Sequence, residues 1–422
     1  MKKIIINGQK NLTGTIRISG AKNAAVAIIP AAILTDEEAT ICNVPEISDI
    51  KSLEEILKFL NIETRRATET MVINPKKMEN KPIPMEISSK LRASYYFMGA
   101  LLAKYKYVEM NFPGGCKIGA RPINLHLEGF KKLGAKVITK DEKYIIKADK
   151  LIGNRIYLDV ASVGATINLM IAATKAEGTT IIENAAREPE IVNVATFLNN
   201  MGAKIIGAGT SVIKITGVEK LGKGFIEIIP DRIEAGTYTI IGALLGNKLK
   251  IDNIIPEHIE SLTSKLQEAG ADISIEEESI ICNKTNKLKN INVKTYYFPG
   301  FPTDLQQPLS TFLTQCEGIS KIEETIYENR FMHIKYLNNM GAKITTKGKE
   351  ALIEGKTNLT GSKVIATDLR AGAALVIAGL IATGETEISQ VEHILRGYEG
   401  IIEKLTEVGA DIKITEKTCQ TS

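Results

Sequence analysis

Phe197-Leu198-Asn199-Asn200-Met201-Gly202-Ala203-Lys204-Ile205-Ile206 is the stretch from which the fold can be read. An apolar pattern of helical period runs into Gly202 and resumes beyond it as an alternating strand. Glycine at that point predicts a C-terminal helix stop, where the chain turns directly into the strand. The same motif recurs as Leu133-Gly134-Ala135-Lys136-Val137, Ala269-Gly270-Ala271-Asp272-Ile273, Met340-Gly341-Ala342-Lys343-Ile344 and Val408-Gly409-Ala410-Asp411-Ile412. Its glycines are spaced 68, 68, 71 and 68 residues apart, and Leu60-Asn61-Ile62-Glu63 fills the expected first slot in degenerate form. Six units of about 70 residues are too long for solenoid repeats, and each has room for two helices and several strands.

A second repeated element, a short strand opened by Gly and closed by a polar turn, precedes each outer helix. Gly178-Thr179-Thr180-Ile181-Ile182-Glu183-Asn184 and Gly384-Glu385-Thr386-Glu387-Ile388 are examples. A third is a helix rich in Ala, Gly and Leu whose first turn is polar. Lys22, Arg92, Ser162, Arg232, Asp304 and Arg370 mark its six copies, at spacings of 70, 70, 70, 72 and 66. Helices apolar nearly all round belong inside a domain. Their N-termini, with free N–H groups and the positive end of the helix dipole, are anion sites. Ser19, Ser88, Ser162 and Asp231 at these starts also read as ordinary caps. Lys22, Arg92, Arg232 and Arg370 do not, because a cation there opposes the dipole by a few tenths of a kcal/mol or more. Four such cations in equivalent places point to a ligand with several negative charges.

Length and composition bound the function. A chain of 422 residues exceeds the usual single core of roughly 250 to 300 and predicts two domains. The net charge of +4 comes from 53 basic and 49 acidic residues without a basic block, so nucleic acid is not implied. Cys42, Cys116, Cys282, Cys316 and Cys419 are odd in number and far apart, which suits a reducing cytoplasm and gives no metal-ligand spacing. No stretch of 18 uninterrupted apolar residues exists, so no membrane span is expected. Lys2-Lys3-Ile4-Ile5-Ile6 reads as a strand.

Asn111-Phe112-Pro113-Gly114-Gly115-Cys116-Lys117-Ile118-Gly119-Ala120-Arg121-Pro122 is a loop by its glycines and prolines, and an insertion that only the second unit carries. It sets one thiol between two cations, which lowers a thiol pKa from about 8.5 and makes it reactive. By its composition alone it is a glycine-rich turn. With the repeats around it, the loop reads as a lid over an anion site, its glycines permitting closure and Arg121 arriving with the thiol.

With Lys22-Asn23, Phe301-Pro302-Thr303-Asp304, Glu328-Asn329-Arg330-Phe331-Met332-His333, Asp368-Leu369-Arg370 and Arg396-Gly397-Tyr398-Glu399, this loop resembles the enolpyruvyl transferase family, in particular the members acting on UDP-N-acetylglucosamine. The likeness runs over essentially the whole chain, and the cysteine loop followed by Ala-Arg-Pro is its most specific part. It implies an α/β fold of two similar domains, each of three βαβαββ-type units around buried helices, an inside-out α/β barrel. Residues 20–229 would form an N-terminal domain carrying the Cys116 loop. Residues 1–19 with 230–422 would form the C-terminal domain, the first strand pairing with the last unit, and substrates would bind in the cleft between the domains.

The activity implied is transfer of the enolpyruvyl group of phosphoenolpyruvate to the 3-hydroxyl of UDP-N-acetylglucosamine, with release of phosphate, opening peptidoglycan precursor synthesis and so serving cell shape and division. By the resemblance Cys116 donates a proton to the donor's C3, forms a pyruvate adduct and is the target of fosfomycin. Lys22, Asn23, Arg121, Arg370 and Arg396 would hold phosphoenolpyruvate, with Lys22 and Arg396 also counted as catalytic, and Asp368 is expected to pair with Arg396. Asp304 is the expected base for the sugar hydroxyl, weighed against a plain helix cap. Asn23, Arg92, Arg121, Pro122, Ile123, Asn124, Leu125, Ser162, Val163, Gly164, Asp304 and Ile326 would bind UDP-N-acetylglucosamine, Ile326 through its backbone. No cofactor or metal is required, and a cytoplasmic monomer without nucleic-acid or membrane partners is expected.

Val160 and Asn124 depart from the lysine and aspartate that some members carry there. His126, His258, His333 and His393 read as satisfied core or surface residues, and Tyr95-Tyr96-Phe97 as packing. Three rival readings remain: transfer to shikimate 3-phosphate, which would not need the cysteine loop; RNA 3'-phosphate cyclase chemistry, for which His393 is a poor basis; and a DNA clamp, which would need a basic inner surface.

Overall fold

A computed structural model of the chain describes residues 2–114 and 123–416. These residues divide into two compact halves, an N-terminal half of residues 20–114 and 123–229 and a C-terminal half of residues 2–19 and 230–416. The halves share one build. Each contains, among the described residues, three small sheets set around three apolar helices.

The repeat is visible in the strand order. In the fifth unit Asn292–Lys294 lies parallel to Gly318–Glu323, which pairs antiparallel with Glu350–Gly355, which pairs with Lys343–Lys347. The third unit repeats this with Arg155–Tyr157, Thr179–Glu183, Val212–Thr216 and Lys204–Ile206. The second has three strands, its fourth place held by a parallel bridge between Ile83 and Met110. In the third and fifth units a buried helix connects the two parallel strands, because parallel neighbours need a crossover rather than a hairpin.

Three strands are displaced along the chain. Gly224–Glu227, at the end of the N-terminal half, is the parallel edge strand of the first unit, in register with Ala39–Cys42. Leu12–Arg17 is the edge strand of the fourth unit, beside Gly246–Asp252. Lys2–Asn7 lies between Glu385–Ser389 and Asp411–Glu416, so the first strand pairs with the last unit as expected.

The turn that revealed the repeat has its physical cause in the backbone. Gly134, Gly202, Gly270, Gly341 and Gly409 take φ of 94°, 102°, 89°, 104° and 101°, where a side chain is strained. Asn61, in the degenerate slot, has φ of 59°, and asparagine is among the few other residues that tolerate left-handed backbone.

Among the six helices, Lys22–Ala31, Tyr96–Tyr105 and Val163–Ala173 belong to the N-terminal half, and Arg232–Leu245, Gln306–Leu313 and Leu369–Ile381 to the C-terminal half. In Leu369–Ile381 every residue is buried. Small residues let these helices approach closely enough to bond one another. Asn168 Oδ1 accepts from the Gly99 N–H at 2.9 Å, and Thr311 Oγ1 donates to the Ala374 carbonyl at 3.0 Å. Both polar side chains enter the core with a partner. No helix among the described residues is long and apolar enough to cross a membrane.

Candidate active site

In the C-terminal half the three helix starts bring charge together. Asp304 sits in the short 3-10 turn Thr303–Leu305 leading into Gln306–Leu313. Its carboxylate caps neither element; Oδ1 accepts from Arg330 Nη2, and Oδ2 from Arg370 Nη2 at 3.0 Å. The side chain is 26% exposed, whereas Arg330 and Arg370 are 3% and 5% exposed. Loss of solvent by itself would raise the Asp304 carboxyl, but Arg370 and then Arg330 outweigh it and hold it well below the usual carboxylate range. Burial disfavours the Arg370 charge, and the Asp304 carboxylate more than restores it.

Aromatic faces hold the guanidinium groups from behind. Arg370 lies 5.5 Å from the Tyr398 ring, Arg330 5.1 Å from Tyr327 and Arg232 5.6 Å from Phe298. The Tyr398 hydroxyl shares a hydrogen bond of 2.9 Å with Thr237 Oγ1. Asp231 and Asp368 are the caps here, Asp368 Oδ1 accepting from the N–H groups of Arg370 at 2.9 Å and Ala371 at 3.1 Å.

In the N-terminal half Lys22 is the first residue of its helix, followed by Asn23, and its Nζ lies 2.6 Å from Asp49 Oδ2. At two of the helix starts the cation has an internal counter-ion, Asp49 for Lys22 and Asp304 for Arg370. Arg92 opens a 3-10 turn, Arg92–Tyr95, one turn before its helix. Ser162 caps Val163–Ala173, its Oγ accepting from the Ala165 N–H at 3.3 Å, with Val163 and Gly164 in the first turn. A Cβ on Gly164 would stand 2.7 Å from Tyr95 Oη and 3.2 Å from His126 Cε1, so only glycine fits against that pair. His126 is buried beside Asn168 Nδ2 at 3.0 Å, and burial together with Arg92 pushes its pKa down to about 3. It is a neutral core histidine. Ile123 and Asn124 begin the helix Asn124–Lys132, and Leu125 is partly buried.

Cys116, Arg121 and Pro122 lie outside the described residues, as do Lys117 and Cys419. The loop's root at Gly114 is described: its N–H donates to the Ser88 carbonyl at 3.3 Å, and a Cβ there would meet the Ser89 carbonyl at 1.7 Å. Arg396 follows the short helix Glu392–Leu395. Val160 is exposed, Tyr96 and Phe97 are core, and Tyr95 packs edge-on to His126 at 4.7 Å. His333 is fully buried, and burial pushes its pKa down to about 3, so it is a neutral core histidine. Burial raises the thiols of Cys282 and Cys316 to about 12 and leaves them inert.

Sequence reasoning missed Glu324. Its carboxylate accepts from Thr295 Oγ1 at 3.0 Å, Thr303 Oγ1 at 2.9 Å, the Ile326 N–H at 2.8 Å and the Tyr327 N–H at 3.2 Å. It thereby ties down the turn that carries Asp304, and it occupies the N–H of Ile326, leaving that residue only its carbonyl to offer. The repeat held the signal. Asn43, Asn184 and Asn253 end the corresponding strands, and each donates to a carbonyl just beyond the parallel edge strand, Ile228 at 2.8 Å, Leu158 at 2.7 Å and Ile18 at 2.7 Å. In that slot of the fifth unit a carboxylate replaces the asparagine, accepting hydrogen bonds where asparagine donates one.

A family model described as EPSP synthase (3-phosphoshikimate 1-carboxyvinyltransferase) matches residues 6–405. A Listeria innocua protein named UDP-N-acetylglucosamine 1-carboxyvinyltransferase 2 is 53% identical over 97% of both chains. A Bacillus cereus protein of the same name is 52% identical over 100% of this chain and 98% of its own. Among solved structures, the enolpyruvyl transferase NikO from Streptomyces tendae superposes with a TM-score of 0.90 at 24% identity, covering 99% of each chain. EPSP synthase from Acinetobacter baumannii superposes with a TM-score of 0.76 at 17% identity, over 99% of this chain and 100% of that one. These two likenesses establish the fold.

Proposed function

Since the chain belongs to the EPSP synthase family of enolpyruvyl transferases, we infer that it acts as a UDP-N-acetylglucosamine 1-carboxyvinyltransferase. It transfers the enolpyruvyl group of phosphoenolpyruvate to the sugar 3-hydroxyl and supplies a precursor of peptidoglycan. The observation that carries this reading is the 53% identity, over 97% of both chains, to a relative of that name. The shikimate 3-phosphate reading has only the family model's description behind it.

The chemistry is addition followed by elimination. The hydroxyl O–H bond breaks, its proton passing to the base, while the oxygen's electron pair forms a bond to C2 of the donor and C3 gains a proton. C3 then loses a proton, the double bond reforms and phosphate leaves with its electron pair. Asp304 is the base in this proposal and Cys116 the donor to C3. Lys22, Arg121, Arg370 and Arg396 neutralise the donor's phosphate and carboxylate, arginine forks suiting such multidentate anions. Asn23, Arg92, the 121–125 segment, Ser162, Val163, Gly164 and Ile326 take the nucleotide sugar, the capped start of Val163–Ala173 offering N–H groups to diphosphate. The reading extends to a cytoplasmic monomer without a nucleic-acid partner, supported by five widely spaced cysteines and dispersed charge.

Phosphate release tests it. Incubation with phosphoenolpyruvate and UDP-N-acetylglucosamine should liberate phosphate, and shikimate 3-phosphate should not substitute. Release with shikimate 3-phosphate alone, or with neither acceptor, would overturn the reading.

A further inference from the structure

Asp304 as found is a poor base, because both of its oxygens are occupied by cations. The two cations are not equivalent. Arg370 is read above as a ligand of the anionic donor, whereas Arg330 had no assigned part. Arg330 is almost wholly buried, rests against Tyr327, and reaches Asp304 through Nη2 alone, its Nε having no hydrogen-bond partner. Asp304 caps no helix, so its orientation depends on these two contacts and on the turn that Glu324 secures through Thr303.

We propose that Arg330 is a positioning residue for the acceptor step, fixing Asp304 by Oδ1 while Arg370 is the exchangeable partner of Oδ2 that the anionic donor draws away. The inference rests on Asp304 being the base. Once Arg370 turns to the donor, Oδ2 is free to take the hydroxyl proton, and the partial burial that favours a protonated carboxyl is no longer outweighed by two cations. Base strength is thereby coupled to donor occupancy, and an empty site does not take up protons to no purpose. The groups facing the carboxylate are Arg330, Arg370 and, from the helix Arg232–Leu245, Arg232; Asp231 and Tyr398 face Arg370 in turn, and Glu324 faces Thr303.

The test compares pH profiles of the wild type, Arg330→Gln and Arg330→Lys. Arg330→Gln should lower kcat about 10- to 100-fold, shift the acid limb of kcat/KM upward by about one unit and leave the KM for phosphoenolpyruvate within about threefold. Arg330→Lys should recover part of kcat and bring the limb back down. An unmoved limb, or a loss confined to KM, would overturn the proposal. Because the Gln variant risks misfolding, a measurement on the wild type runs beside it. The Asp304 carboxyl, followed by carbon NMR, should titrate higher when phosphoenolpyruvate is added, and an unchanged titration also overturns the proposal. Wild-type protein that releases no phosphate would instead sink the functional reading itself.

Discussion

At the scale of single residues, Asp304 concentrates the energetics of the C-terminal half. Removing its charge leaves Arg330 and Arg370 buried without a counter-ion, which costs about 3–5 kcal/mol. The pH dependence has a definite sign. A carboxyl held low in the folded state contributes fully above its unfolded pKa of about 3.9 and loses that contribution as pH falls through the lower folded value. The stability gap between wild type and Asp304→Asn, measured by denaturant unfolding, should therefore stay level from pH 8 to about 4 and close only below that. A gap that closes between pH 7 and 5 would contradict the pairing. The same variant should lose about 10²- to 10⁴-fold in kcat if the carboxylate is the base. Thiols offer a second check: fosfomycin should inactivate by alkylating Cys116, with Cys282 and Cys316 unlabelled because burial keeps them protonated. Cys116→Asp, which can still donate a proton, should stay active and become insensitive, as intact-mass and activity measurements would show.

At the scale of elements, the helix-to-strand turn is a backbone device rather than a packing one. A Cβ on Gly202 would meet nothing within 4 Å, yet its φ of 102° is one that side chains rarely adopt. Gly202→Ala should thus destabilise by about 1–2 kcal/mol with no steric clash, whereas Asn61→Gly, at φ of 59°, should change stability by under about 1 kcal/mol. Thermal unfolding of the two variants decides it, and equal effects would remove backbone conformation as the cause. This turn was legible in the sequence because conformational strain selects residue type directly. The polar turn that ends the preceding strand was less so. Asparagine there serves a side-chain bond to a carbonyl remote in sequence, and Glu324 performs a related task with different chemistry.

At the scale of the whole molecule, the N-terminal pair of strands serves two repeats of the C-terminal half. Lys2–Asn7 completes the last unit, where Ile4 and Ile6 are fully buried, and Leu12–Arg17 completes the fourth. Deleting residues 2–7 would remove the strand that lies between Glu385–Ser389 and Asp411–Glu416 and expose two strand edges. Burial of the two isoleucines alone is worth about 3–6 kcal/mol. The truncated chain should lose the cooperative unfolding of its C-terminal half in calorimetry, and an unchanged transition would show that the strand is dispensable.

The sequence by itself determined the six units, their helix stops, the apolar helices at their centres and the residues that carry the family likeness. Each of these is written in local periodicity or in a residue type that local backbone demands. Only the tertiary structure decided that Gly224–Glu227 completes the first unit and Leu12–Arg17 the fourth, and that Asp49, Asp304 and Glu324 answer charges and donors at the helix starts. Such partners lie from a few residues to a few hundred apart along the chain. Nothing in a local pattern encodes them, because a carboxylate reads alike whether it caps a helix, faces water or holds a guanidinium.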